Sequence, residues 1–187
     1  DCEHCTTAGD GSVSFDLGGL EPGDRGVETF TLSADANPMR VWLRTNCPAP
    51  VDPLGDAVEV RLFHDGDCDG PGAGAAAYPA DGSWVSLNEF RTAMRGGLRL
   101  DHRDGEACLD GGLCLDLSYR LADDATWAED LSTELTFEVV AEQCRHVPED
   151  GVTSPFPPVD CSELDCPDCT DLGKLEVEDD LLPPGVY

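Results

Sequence analysis

An aspartate-rich run is the first feature of the sequence whose residue types and spacing could do chemistry. Residues 65–70 read Asp-Gly-Asp-Cys-Asp-Gly, the form that opens a calcium-binding loop. In such a loop Asp65, Asp67 and Asp69 would converge on a hard cation. The acidic ligand expected at loop position twelve is missing, because that position is Ala76. The run therefore predicts either a calcium site or a plain acidic hairpin loop in a chain rich in aspartate.

Cysteine content is the second such feature. In a reducing cytosol ten cysteines would suggest metal sites, whereas in an oxidising compartment they suggest a disulfide framework. Fourteen prolines, twenty glycines and the lack of a regular zinc-finger pattern favour disulfides and an extracellular protein. The candidates are Cys2, Cys5, Cys47, Cys68, Cys108, Cys114, Cys144, Cys161, Cys166 and Cys169.

The spacing of these cysteines leaves their connectivity open. Cys2-x-x-Cys5 and Cys166-x-x-Cys169 together have the form of a four-cysteine zinc site. Because these pairs lie at opposite ends of the chain, we favour disulfides, either local, between the two arms, or to a neighbouring subunit. Three other pairings are compatible with the spacing: Cys108 with Cys114, which would close a turn, Cys47 with Cys68, and Cys144 with Cys161.

The charge balance excludes some partners. Eleven basic against 39 acidic side chains give a net charge of 11 − 39 = −28, which would repel a nucleic-acid backbone. We interpret this acidity as a surface adapted to concentrated salt, with calcium or polycation binding as the alternative. No apolar run approaches the roughly 20 residues of a membrane-spanning helix. The chain begins at Asp1 rather than Met, so we expect a mature product or a fragment from which any signal peptide has gone.

Catalysis finds little support in the sequence. The chain has no HExxH motif, no G-x-S-x-G motif and no glycine-rich phosphate loop after a strand. Carboxylate pairs are too numerous to identify a site. We therefore predict a protein that is not an enzyme and requires no cofactor, with calcium as the one candidate ligand.

The elements that position these residues are mostly strands. Apolar and polar residues alternate with period two in at least six segments, which predicts antiparallel strands with one buried face. Ser86 and Glu89 form a capping box that starts one short helix, and Gly96-Gly97 ends it. Without a βαβ rhythm, this pattern predicts a β-sandwich. The alternating segments begin near Val13, Phe30, Val41, Val58, Leu113 and Leu135.

Composition divides the chain into three parts. We assign residues 1–11 to an N-terminal arm, 12–147 to the sandwich and 148–187 to a Cys- and Pro-rich C-terminal extension. A short strand-like piece in the extension has no obvious partner within its own segment, so we expect it to pair elsewhere. Its residues are Leu172, Lys174, Leu175, Glu176, Val177 and Glu178.

Two stretches resemble the TasA/camelysin family of secreted matrix-fibre proteins. The first runs from Gly19-Leu20-Glu21-Pro22-Gly23-Asp24 through Phe30-Thr31-Leu32 and Asn37-Pro38 to Val41-Trp42-Leu43. The second is residues 134–143, which are similar to the closing strand of that family. The acidity and the cysteines look like the versions found in halophilic archaea. The resemblance covers roughly residues 12–145.

The resemblance implies a jelly-roll-like antiparallel β-sandwich that polymerises head-to-tail with itself, by donating a terminal strand to the next subunit. Here disulfides would staple its terminal arms. Family members usually carry the donor strand before the first hairpin, where this chain has only residues 1–10. Either the donor is missing from the given sequence or the C-terminal piece, residues 172–178, donates, and we favour the C-terminal piece. Camelysin is described as a metalloprotease, which implies a rival function that needs a zinc site. A monomeric calcium-binding surface domain is the third interpretation.

Overall fold

The computed structural model describes residues 5–7, 12–65, 74–100, 108–128, 130–144, 153–157 and 161. Nine strands are present in this part: β1 Cys5–Thr7, β2 Ser12–Asp16, β3 Arg25–Thr45, β4 Val58–Asp65, β5 Ala76–Tyr78, β6 Val85–Ser86, β7 Leu98–Arg99, β8 Leu109–Leu121 and β9 Glu134–Gln143. Two helices accompany them, α1 Pro53–Ala57 and α2 Leu87–Met94. No helix of these residues is long and apolar enough to cross a membrane.

The strands form an antiparallel β-sandwich, as the alternation predicted, and β3 belongs to both of its layers. Residues 25–34 of β3 pair with β8, and residues 39–45 pair with β9, with a register shift between Ala34 and Met39. The first layer is therefore β1, β2, β9, residues 39–45 of β3, and β7. The second is residues 25–34 of β3, β8 and β4, with β5 and β6 along the far side of β4.

Aromatic rings fill the space between the layers. The Phe30 ring, from the second layer, stacks on Phe137 of β9 at a centroid distance of 5.3 Å. Phe15 of β2 meets both rings edge-on at 5.7 and 5.5 Å. All three side chains are buried, and edge-on and offset contacts of this kind add to the area that they bury. The inward residues of β4 and β8 complete the core: Val58, Val60, Leu62, Leu113, Leu115, Leu117 and Leu121.

The predicted helix is α2, and its predicted N-cap, Ser86, is confirmed. The Ser86 hydroxyl accepts a hydrogen bond from the Glu89 N–H at 3.1 Å, and Gly97 ends the helix with a φ of 85°. The prediction of a single helix was wrong, because α1 also forms. Asp52 caps α1 by accepting from the Gly55 N–H at 2.8 Å, and Pro53 occupies its first turn. At five residues α1 is too short for a periodic apolar pattern to predict it.

One arginine ties both helices to the strands. Arg91 falls on the apolar face of α2, and its Nη1 lies 2.5 Å from Oδ2 of Asp52. Its Nη2 donates to the Thr133 hydroxyl at 2.9 Å and to the Glu134 carbonyl. Burial would raise the pKa of Asp52. The bonds from the Gly55 N–H, Thr133 and Arg91, together with the Arg91 charge, bring that pKa below its ordinary value.

The disulfides differ from the pairings that the spacing suggested. Cys47 bonds to Cys161 and Cys108 bonds to Cys144. Cys114 is also disulfide-bonded. All three suggested pairings were therefore wrong, because cysteines far apart in sequence meet where neighbouring strands end. Near Cys108 and Cys144, for example, β8 and β9 meet at Met39 of β3.

The C-terminal extension is fastened to the sandwich, as the fold prediction expected. The Cys144 N–H donates to the Pro38 carbonyl at 3.0 Å, where β9 ends. Farther along, the ring of Phe156 is buried under the Arg44 guanidinium, 4.3 Å from it. Cys161 then joins Cys47, two residues after β3 ends. The N-terminal arm also contributes, because β1 pairs with β2 at an edge of the first layer.

Candidate functional site

The first part of β3 is an unpaired edge of the second layer. Residues 25–34 pair with β8 on one side, and none of the described strands pairs with them on the other. We call residues 25–32 of β3 the open edge. An edge of this length presents a row of backbone groups that can template another strand.

The direction of those backbone groups follows from the preceding turn. Residues 21–24 form a turn, with a Gly23 φ of 88° and a bond of 2.9 Å from the Asp24 N–H to the Glu21 carbonyl. The Leu121 N–H then donates to the Asp24 carbonyl at 2.8 Å. Antiparallel ladders alternate, so every second residue from Arg25 onward directs its N–H and C=O away from β8. These residues are Arg25, Val27, Thr29 and Thr31.

The side chains of the open edge divide between its two faces. Glu28 and Phe30 are buried toward the interior, while Val27 lies outward and is 37% exposed. The Thr29 hydroxyl donates to Oδ1 of Asp116 at 2.6 Å, which fixes this row to β8. The alternation around Phe30 predicted a strand with a buried inward face. It did not predict that the outward residues of this strand line an unpaired edge. The signal that could have found them is the run of β-branched residues on the polar face.

Gly26 allows the open edge to lie close to β8. It faces Tyr119 across the ladder, and a Cβ atom on Gly26 would overlap the Tyr119 ring and hydroxyl. The ring therefore covers the backbone of Gly26, and Tyr119 is itself only 8% exposed. A glycine is required here for close approach.

Two arginines lie opposite each other where the open edge begins. Arg25 and Arg120 are cross-strand partners, an arrangement of like charges that is destabilising by itself. The Arg120 Nε bonds to Glu59 Oε2 at 2.5 Å, and its guanidinium lies 4.5 Å from the Trp84 ring centroid. No such partner engages Arg25 within the part of the chain that the structure describes. Arg25 is thus an exposed cation on a strongly acidic protein.

Of the predicted calcium ligands, the structure describes Asp65 alone. Asp65 is the last residue of β4 and is buried, 4% exposed. Asp67 and Asp69 lie outside the described residues. Among the described residues no group of three or more His, Cys, Asp or Glu is placed to hold a metal ion.

The other predicted site residues lie beyond the described part of the chain or at its limit. The proposed donor residues 172–178 are outside it, as are Cys2, Cys68, Cys166 and Cys169. The backbone of Cys5 is described, as part of β1. The structure therefore describes an unpaired strand edge, while the predicted donor residues lie outside the described part of the chain.

A second surface feature is a hollow of about 440 Å³ beside Trp127. The Trp127 side chain is 55% exposed, and Asp56, Glu59 and Asp124 surround it. An aromatic face among carboxylates suits cationic groups and disfavours anions. The hollow beside Trp127 is therefore a candidate position for the polycation binding that was the alternative interpretation of the acidity.

The comparisons with known proteins give no family. No protein-family model matches the chain, and no curated protein matches it. The resemblance to the TasA/camelysin family therefore stays a prediction.

Proposed function

We propose that this chain is a structural subunit of an extracellular filament, such as a biofilm matrix fibre or bundling pilus, and that it has no catalytic activity. Each subunit would accept a strand from a neighbour on its open edge. The observation that carries the proposal is this edge, whose outward backbone groups no hydrogen bond occupies in the described part of the chain.

Strand addition satisfies both partners of such a contact. Main-chain hydrogen bonds supply affinity, and alternating side chains set the register. Because the donated and accepting segments are different surfaces, the contact is heterologous and can propagate as a filament. The disulfides Cys47–Cys161 and Cys108–Cys144 support an oxidising, extracellular location.

A proline substitution in the open edge tests the proposal. Val27→Pro removes an outward N–H that does not belong to the β8 ladder, so the subunit should still fold. Val27→Thr keeps the N–H and a β-branched side chain, and is the matched control. We expect filaments from wild type and Val27→Thr in electron micrographs at high salt, and dispersed particles from Val27→Pro.

Circular dichroism and thermal unfolding must show that the Val27→Pro subunit is folded. Filaments from folded Val27→Pro would exclude the open edge as the acceptor. Single particles from all three proteins, with a thermal midpoint that rises with added calcium, would favour the monomeric calcium-binding surface domain. Chelator-sensitive casein cleavage by the purified protein would favour the metalloprotease.

A further inference from the structure

We infer that the open edge takes residues 172–178 of a second copy of this chain, which we call the tail segment, in antiparallel orientation, with Glu178 opposite Arg25. This inference depends on the proposed function and specifies the partner of its acceptor. It assigns Arg25 the recognition of an acidic side chain on the incoming strand.

Charge complementarity is the first argument. Arg25 is exposed and faces the like charge of Arg120, which Glu59 and Trp84 already engage. A carboxylate beside Arg25 would remove the like-charge conflict between the strands. Within the tail segment residues 174–178 alternate, with the charged Lys174, Glu176 and Glu178 on one face and the apolar Leu175 and Val177 on the other, while Leu172 falls on the charged face. The apolar face can turn toward the core while the charged face lies beside Arg25.

The orientation of the tail segment follows from the positions of its basic residue, Lys174, and its last acidic residue, Glu178. In an antiparallel pair, placing Glu178 opposite Arg25 puts Lys174 opposite Thr29, because 178 + 25 and 174 + 29 both equal 203. Thr29 is hydrogen-bonded to the carboxylate of Asp116, so the Lys174 ammonium approaches a negative group. Lys174 and Glu178 of the tail segment then both lie near groups of opposite charge.

The parallel arrangement reverses both contacts. Lys174 would lie opposite Arg25, and Glu178 would lie opposite Thr29 and its bonded partner Asp116. Like charges directly opposite each other are destabilising. An antiparallel pairing shifted by two residues, with Glu176 rather than Lys174 opposite Thr29, is also unfavourable. Glu176 would then approach the carboxylate of Asp116, which is bonded to Thr29.

The point of attachment allows the tail segment to reach another subunit. Cys161 is held to Cys47 by a disulfide, and residue 172 follows Cys161 by eleven positions (172 − 161 = 11). Such a stretch spans at most about 36–40 Å when extended. The tail segment can therefore leave its own sandwich while the chain before it stays fixed.

Cysteine cross-linking tests the orientation. Thr29→Cys subunits and Lys174→Cys subunits are added as minor components to wild-type protein, so that wild-type subunits determine whether filaments form. After mild oxidation, mass spectrometry identifies the linked peptides. We expect a link between positions 29 and 174, and no link when Glu178→Cys replaces Lys174→Cys. Because the substitutions are on separate molecules, any link joins two subunits.

The outcomes separate this inference from the proposed function. A link from position 29 to position 178 within filaments would overturn the antiparallel orientation. Filaments without either link would place the donor elsewhere and overturn the inference, while the proposed function would stand. Wild-type protein without filaments would overturn both.

A charge exchange gives a second measurement. Arg25→Glu and Glu178→Arg should each reduce filament yield at the lowest salt at which the protein is folded, and the double variant should restore it. Reduced yield from the double variant, equal to or below that of both single variants, would contradict direct pairing of these residues.

Discussion

Arg91 and Asp52 form a buried ion pair, with 2.5 Å between Nη1 and Oδ2 and side-chain exposures of 2% and 8%. The pair joins α2 to the residue that caps α1. Asn88, one turn before Arg91, accepts a bond from the same Nη1 at 2.9 Å and donates to the Asp52 carbonyl. The pair therefore holds in place the connection between β3 and β4, which contains α1.

Removing Arg91 should strongly destabilise the fold. Arg91→Met leaves the Asp52 carboxylate buried without its counter-charge, which costs about 3–5 kcal/mol of unfolding free energy. Arg95→Met, one turn later and partly exposed, is the matched control and should change stability by less than about 0.5 kcal/mol. Urea unfolding at neutral pH measures both. Equal effects would show that the ion pair contributes no more than a surface arginine.

Stability should also depend on this carboxyl group in acid. The pKa of Asp52 is lower in the folded than in the unfolded state, so its contribution is fully present above the unfolded pKa of about 3.9. That contribution is lost as the pH falls through the folded pKa. Asp52→Asn should therefore show a shallower decline of unfolding free energy below about pH 4 than wild type. If the unfolding free energies of the two proteins declined equally steeply below about pH 4, the prediction would be wrong.

Gly26→Ala should destabilise the sandwich. The added Cβ would overlap the Tyr119 ring, and moving a packed ring costs about 1–3 kcal/mol. Gly96→Ala is the control, because a Cβ there meets no atom within 4 Å. Thermal unfolding should give a lower midpoint for Gly26→Ala and an unchanged or slightly higher one for Gly96→Ala. Equal midpoints would show that Tyr119 can move aside freely.

The disulfides Cys47–Cys161 and Cys108–Cys144 should contribute unequally to stability. They span sequence separations of 114 for Cys47–Cys161 and 36 for Cys108–Cys144. In the loop-entropy account each contributes about 2–5 kcal/mol, and the longer loop about 1 kcal/mol more than the shorter. Paired serine substitutions, compared by denaturant unfolding, measure this. A larger loss from the Cys108/Cys144 pair would show that native contacts, rather than loop length, determine the effect.

Local pattern did not predict the short strands β1, β5, β6 and β7, but it was sufficient to predict β2, both parts of β3, β4, β8, β9 and the start of α2. Each depends on neighbouring residues, such as the bond between Ser86 and Glu89. The continuous course of β3 was not predictable, because residues 35–38 look like a turn although the backbone continues from one layer to the other. The disulfides depend on which strand ends meet in space, and that information is tertiary.

The candidate site was only partly visible for the same reason. The sequence indicated strand exchange through its resemblance and through the unpartnered tail segment. It could not show which strand lacks a neighbour, because that depends on the order β3, β8, β4 in the second layer. The partners of Arg91, Asp52 and Thr133, come from distant parts of the chain, yet a charge at an apolar position of a helix indicates a buried partner.

The course of β3 has a mechanical consequence for a filament. The open edge ends at residue 32, and Cys47, which holds the departing C-terminal chain through Cys161, follows fifteen residues later (47 − 32 = 15). If neighbouring subunits are joined at the open edge and at the chain that leaves Cys161, a pulling force passes through each subunit along one covalent path. That path is β3 and the Cys47–Cys161 disulfide. The aromatic core would then carry little of the load, and the hydrogen bonds between subunits, sheared along their length, would set the breaking force.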